Sequence, residues 1–195
     1  SMTAMDALFA VQDEDVIRGQ LEYRRAHLSE RQDVVVAEAE RDQTAAAIAG
    51  LELERLEHSR RQNRLEGEVV AIEARLTELD RKLYGSAITS AREATSLQDE
   101  IGHLRRRQDD LEGSVLELME VLEPMEQELA RLADQASTGD VAIQAAQIAL
   151  AEAEAAVDGE SSESASRREL ALAQVPADVL DRYEGSRASF GSSTV

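Results

Sequence analysis

The sequence predicts an all-α protein, a long antiparallel two-helix coiled-coil hairpin with short C-terminal helical segments. Three observations carry the prediction. Apolar residues recur at alternating spacings of four and three along two long stretches, and a glycine-containing turn separates those stretches. The aromatics that usually fill a globular core are scarce, with three Tyr, two Phe and no Trp in 195 residues. Leu, Ala, Val and Ile dominate the 43% hydrophobic content, set beside 31% charged residues and two prolines. That balance fits long helices whose narrow apolar stripe is flanked by charge.

Taken in order, Leu8, Val11, Ile17, Leu21 and Leu28 give the first helix an apolar face. Between Val34 and Gln62 the stripe falters. Heptad positions carried back from Leu65 include Arg41, Thr44, Arg55, His58 and Gln62, while Ile48, Leu51, Leu53 and Leu56 lie close by, which predicts a polar seam or a stutter. From Leu65 through Val69, Ile72, Leu76 and Leu79 to Leu83 the repeat is regular. An unbroken first helix from Asp6 to Tyr84 would run on the order of 120 Å, and Ser29, Pro124 and Gly139 are the candidates for a hinge, with straight and hinged forms both left open.

The turn is predicted near residues 85–89. Gly85 is expected to end the first helix in a left-handed conformation, and Ser90 with Glu93 reads as the capping box that starts the second. From Leu97 to Val157 the four-three stepping meets 18 positions, of which 16 are apolar. A connection of about five residues forces neighbouring antiparallel helices. Facing residues should then have numbers summing to roughly 175, pairing Leu76 with Leu97, Ile72 with Leu104 and Leu51 with Leu122. The hairpin is assigned to 1–157. Beyond it, Asp158 to Glu163 reads as a loop, Ser166 to Glu169 as a further capping box and Pro176-Ala177-Asp178 as a helix start. Ser186 to Val195 reads as a mobile tail, so 158–195 is a separate region.

A net charge of -19 argues against nucleic-acid contact along the whole length, since phosphate neutralisation needs a basic face. No cysteine is present, which removes disulfides, thiolate metal sites and a cysteine nucleophile. The opening residues lack a basic region followed by an apolar stretch, so neither a signal peptide nor a membrane contact is expected, and the location is read as cytoplasmic. His27, His58 and His103 are too scattered for a metal site. A two-helix rod offers no cleft to perturb its carboxylates, and no phosphate-binding loop or nucleophile motif occurs, so no enzymatic activity, catalytic residue or cofactor is expected.

Leu83, Tyr84, Gly85, Ile88, Glu93, Leu97, Gln98, Glu100 and Ile101 resemble the hairpin-tip signature of the bacterial coiled-coil hairpin family with a C-terminal four-cysteine zinc ribbon. The opening is similar too, through Leu8, Gln12, Asp15, Ile17, Leu21, Arg24, Arg25, Leu28 and Glu30. So is the end, through Pro176, Leu180, Tyr183 and Arg187. Two features depart from the pattern: Ser29 stands where the family often has proline, and the cysteine ribbon is not in this sequence. The resemblance implies a hairpin fold and an adaptor or chaperone-like role. It also implies an alternative, a nucleic-acid-binding regulatory protein acting through a zinc ribbon with the hairpin as spacer or dimeriser. Zinc is expected only with such a ribbon.

Charge is uneven along the chain. Residues 58–112 carry ten basic and eleven acidic side chains, whereas residues 1–57 are net -7 and residues 113–195 net -11. Within the near-neutral stretch, Arg60, Arg61, Arg64, Arg105, Arg106 and Arg107 are candidates for a basic band, and Tyr84 and Ile88 for an apolar contact at the tip. Gly85, Ser90 and Glu93 are assigned to the turn itself. The expected function is a non-enzymatic scaffold that binds protein partners, with self-association left open through Leu53 and Leu56.

Overall fold

The computed structural model describes residues 3–85 and 90–192, with side chains through Ser189. Among the described residues there are four α-helices and no strand: α1 Ala4–Ala26, α2 Ser29–Leu83, α3 Ala91–Leu172 and α4 Ala177–Ser192. They divide into two compact units, residues 40–139, and residues 1–39 together with 140–195.

The first unit is the hairpin of α2 and α3. Every seam position of α3 from Leu97 to Gly139 is buried or half-buried, with Ile101, Leu111, Leu118, Leu122 and Leu132 fully buried. On α2 the matching stripe from Leu65 to Leu83 is also turned inward, centred on Leu79. The antiparallel register is fixed by polar contacts across the seam. Arg75 meets Glu100 at 3.0 Å and Arg107 meets Glu68 at 3.3 Å; both pairs have the register sum of about 175 that a short turn imposes.

The expected stutter does not occur between Thr44 and Leu83. Thr44, Ile48, Leu51, Arg55, His58 and Gln62 are all buried or half-buried, while Leu53 and Leu56 are exposed. The heptad phase is held and the seam is merely polar. Thr44 shows how polarity is accommodated there: its Oγ1 donates to the Glu40 carbonyl at 3.1 Å and accepts from Gln135 Nε2 at 2.9 Å. A buried hydroxyl so satisfied costs little, whereas a slipped register would leave it unpaired.

At the two candidate hinges in α3 the chain stays helical. Pro124 lies inside the helix and on an exposed face. Water can reach the Glu120 carbonyl that has lost its donor there, and packing of the buried neighbours Leu122 and Leu118 carries the helix through. Gly139 is likewise helical. Gly85 is corrected in a different way: it follows α2, but no described glycine has positive φ. A Cβ at Gly85 would sit 2.8 Å from the Arg81 carbonyl oxygen, so close approach, not left-handed geometry, is what glycine answers here.

The second unit holds α1, the start of α2, the end of α3 and α4. Thr3 and Asp6 form a reciprocal capping box at the start of α1. The break foreseen at Ser29 falls between Ala26 and Ser29. There the Arg31 guanidinium donates to the Arg25 carbonyl at 3.0 Å, and His27 stacks on Tyr23 with ring centroids 3.9 Å apart. The Arg31 bond, with the His27 backbone N–H donating to the Tyr23 and Arg24 carbonyls at 3.0 and 3.2 Å, satisfies carbonyls that the end of α1 exposes.

The loop assigned to Asp158–Glu163 is overturned: α3 continues to Leu172. Gly159 and the serines disfavour helix by only about 0.5–1 kcal/mol each, and α1 supplies compensating contacts. Arg25 Nε donates to Asp158 at 2.9 Å, Arg24 pairs with Glu160, and Val157, Ser164 and Ala171 are buried on the same four-three stepping. Ser166 to Glu169 is therefore helix interior rather than a cap. The start at Pro176 is observed, its carbonyl accepting from Leu180 N at 3.0 Å. The residues read as a mobile tail are helical as far as Ser192.

Candidate partner-binding surfaces

At the end of α2, Tyr84 N still donates to the Asp80 carbonyl at 3.0 Å, while the side chain stands 84% exposed. Across the turn, Ser90 Oγ accepts from Glu93 N at 3.2 Å, which fixes the first turn of α3. Ile88, the other tip candidate, lies outside the described residues. Tyr84 thus presents a large amphipathic side chain at the end of α2.

The six arginines do not form one surface. Successive residues on a helix point about 100° apart, so Arg105, Arg106 and Arg107 face different ways. Arg105 reaches Asp80 at 3.8 Å and Arg107 reaches Glu68, both across the hairpin, whereas the Arg106 guanidinium lies back over Gly102. Arg60, Arg61 and Arg64 are exposed and have no ion pair among the described residues. The structure therefore spends two of the six on register and leaves three free on α2.

The densest polar cluster lies elsewhere, where α1, α3 and α4 meet. Asp15, 8% exposed, accepts from Tyr183 Oη at 2.6 Å and from Arg168 Nε at 2.9 Å, with Arg187 at 3.3 Å. Beside it Glu14 accepts from Ser164 Oγ at 2.6 Å and Arg167 Nε at 2.7 Å, and Arg168 also reaches Glu184 at 2.9 Å. Burial opposes the Asp15 charge, but the hydrogen bonds of Tyr183 and Arg168 and the nearby guanidinium charges outweigh it and hold the carboxyl below its ordinary value. Burial, and then the bond to Asp15, push the Tyr183 hydroxyl up to about 12. These contacts form a clasp that ties α4 to α1 and α3.

Asp15, Tyr183 and Arg187 were visible as separate motif residues at the two ends of the sequence; the structure brings them into contact. Glu14, Ser164, Arg167, Arg168 and Glu184 were missed. A signal existed, because the α3 stepping continues from Val157 to Ser161, Ser164, Arg168 and Ala171, but polar residues on a seam read as a loop.

A coiled-coil hairpin domain described as CT398-like matches residues 11–191. The chain belongs to the CT398-like coiled-coil hairpin family. This CT398-like chain is 32% identical over 171 residues to the uncharacterised protein Rv2229c of Mycobacterium tuberculosis, covering 87% of this chain and 69% of that one. Its fold is shared with a solved protein of Mycobacterium smegmatis, at TM-score 0.85 and 22% identity, over 94% of this chain and 75% of the other. CT398 from Chlamydia trachomatis follows at TM-score 0.68 and 16% identity, over 93% and 75%. HP0958 of Helicobacter pylori matches at TM-score 0.57 and 15% identity, over 95% and 78%. Both halves of the clasp, Asp15 and Tyr183 with Arg187, fall inside the matched CT398-like domain.

Proposed function

We propose that this protein is a non-enzymatic scaffold, an adaptor or chaperone-like cytoplasmic protein that holds protein partners on its hairpin. The observation that carries the reading is Tyr84, an aromatic side chain 84% exposed beside the hairpin turn. Tyr is a favoured anchor of protein interfaces because it combines apolar area with a hydroxyl and has little entropy to lose. The groups with perturbed ionisation support the same reading. Asp15, Tyr183 and Glu14, which edge two separate surface depressions, are each tied to side chains of neighbouring helices, and structural ties of this kind perturb ionisation without any catalytic role. The net charge of -19 favours protein over nucleic acid as the partner of these residues. Among the described residues no helix is long and apolar enough to cross a membrane.

The test is affinity capture with the intact protein from its own cells, repeated with Tyr84→Ala and with Tyr84 replaced by a photo-crosslinking residue. A reproducible protein partner, crosslinked through position 84 and lost or strongly reduced with Tyr84→Ala, is the expected result. Recovery of no specific protein by either route removes the reading.

A further inference from the structure

One flank of the hairpin within residues 40–139 is neither core nor ordinary solvated surface. Val70 on α2 and Leu116 and Met119 on α3 are 64%, 60% and 49% exposed. They line a trough between the two helices whose adjoining segments, of about 460 and 610 Å³, share Leu116. The inner wall is the seam itself, with Val69, Val115 and Leu122 showing at its base. Single exposed apolar residues are normal, but a contiguous run of them along a groove is the form that receives an amphipathic helix.

The rim identifies the occupant. Glu66, Glu73, Glu112, Glu120, Glu123 and Glu126 line the same trough, and no arginine or lysine does. Among the described residues none of the six has a cationic partner; the carboxylates of Glu66, Glu73 and Glu112 receive hydrogen bonds only from the neutral Gln62 and Gln108. Arg55, Arg75 and Arg131, by contrast, each pair with a glutamate three residues away. An apolar floor with uncompensated carboxylates along its edges is complementary to a helix with an apolar stripe flanked by lysine or arginine, and it repels a second acidic copy of this same face.

We infer that the trough floored by Val70, Leu116 and Met119 is the docking site for a basic amphipathic helix of a protein partner. The inference rests on the scaffold reading and assigns it a second surface, apart from Tyr84. Leu116 and Met119, at i and i+3 on α3, supply the apolar contacts, and the glutamates set orientation and encounter rate.

The probe is a synthetic helical peptide of about 20 residues with leucine on one face and lysine on the flanks, the length being what six turns of helix need. Fluorescence anisotropy would follow its binding to the full chain at low and high salt. Because a protein of charge -19 attracts cations everywhere, a charge-matched comparison decides the matter. The quadruple variant E112Q/E120Q/E123Q/E126Q should weaken the peptide tenfold or more, and L116N/M119N likewise. E57Q/E117Q/E152Q/E169Q, equal in charge but off the trough, should change it less than twofold. Circular dichroism would confirm that all variants keep the wild-type helix content. Equal losses in both quadruple variants, or no loss with L116N/M119N, would overturn the site in favour of bulk charge. A dimer in light scattering abolished by L116N/M119N would overturn it in favour of a second copy. Failure of the peptide with Tyr84-dependent capture intact would sink the trough and leave the scaffold reading standing.

Discussion

A carboxylate as buried as Asp15 is tolerated only because its charge is met from three sides, by the Tyr183 hydroxyl and by Arg168 and Arg187. Removing one partner exposes the cost. Tyr183→Phe should destabilise the protein by about 1.5–3 kcal/mol, the worth of a hydrogen bond to a charged group, and Asp15→Ala by at least as much, since it leaves the Tyr183 hydroxyl unmet and Arg168 with Glu184 as its remaining counter-ion. Urea unfolding followed by circular dichroism checks both, and a loss below about 0.5 kcal/mol for either would contradict the clasp. The pH dependence has a defined sign. The Asp15 carboxyl is lowered in the folded state, so its contribution is present above the ordinary carboxylate value of about 4 and is lost as pH falls through the folded value. Tyr183 is raised to about 12, so its contribution is full below about 10 and is lost as pH rises through the folded value. The stability gap between wild type and Asp15→Ala should accordingly be flat from about pH 5 to 9 and close in acid.

At the scale of the helix, the seam was readable because hydropathy and burial coincide there: from Leu97 to Val157 no heptad position is exposed. The register was readable because a short turn leaves one pairing, which Arg75–Glu100 and Arg107–Glu68 then adopt. What escaped were places where tertiary contacts override local preference. Ser161, Ser164 and Arg168 occupy seam positions but are polar, so a helix facing α1 looks like a loop until Glu14 and Asp15 are seen opposite. Pro124 looks like a hinge until its exposed position inside a well-packed helix is known. Local substitutions separate these cases. Pro124→Ala should stabilise α3 by about 1–3 kcal/mol, since proline in a helix interior costs about 3 kcal/mol against alanine and hydration of the freed carbonyl returns part of it. Gly139→Ala, where an added Cβ meets nothing within 4 Å, should add about 0.5–1 kcal/mol. Gly85→Ala should do the opposite, because its Cβ would press on the Arg81 carbonyl. Melting temperatures of the three variants give the signs directly; a stabilising Gly85→Ala would mean the turn relaxes freely around that contact.

For the molecule as a whole, the dominant electrostatic fact is imbalance: 40 acidic against 21 basic residues. Two salt-dependent effects compete. The ion pairs are mostly exposed and each contributes at most about 1 kcal/mol, and at contact distances near 3 Å salt weakens them less than it weakens interactions over longer separations. Repulsion among the excess carboxylates acts over separations beyond about 10 Å, the range that 0.1 M salt already screens. Added salt should therefore remove more repulsion than attraction. The melting temperature is expected to rise between about 20 and 500 mM sodium chloride, by about 2–4 °C for each kcal/mol of relieved repulsion in a chain of this size. The acidic flank at Glu112, Glu120, Glu123 and Glu126 should account for a measurable share, so the E112Q/E120Q/E123Q/E126Q variant should melt higher than wild type at low salt and converge with it at high salt. A melting temperature that falls as salt is added would mean that the cross-helix pairs, among them Arg75–Glu100 and Arg168–Asp15, outweigh the net charge in holding the fold.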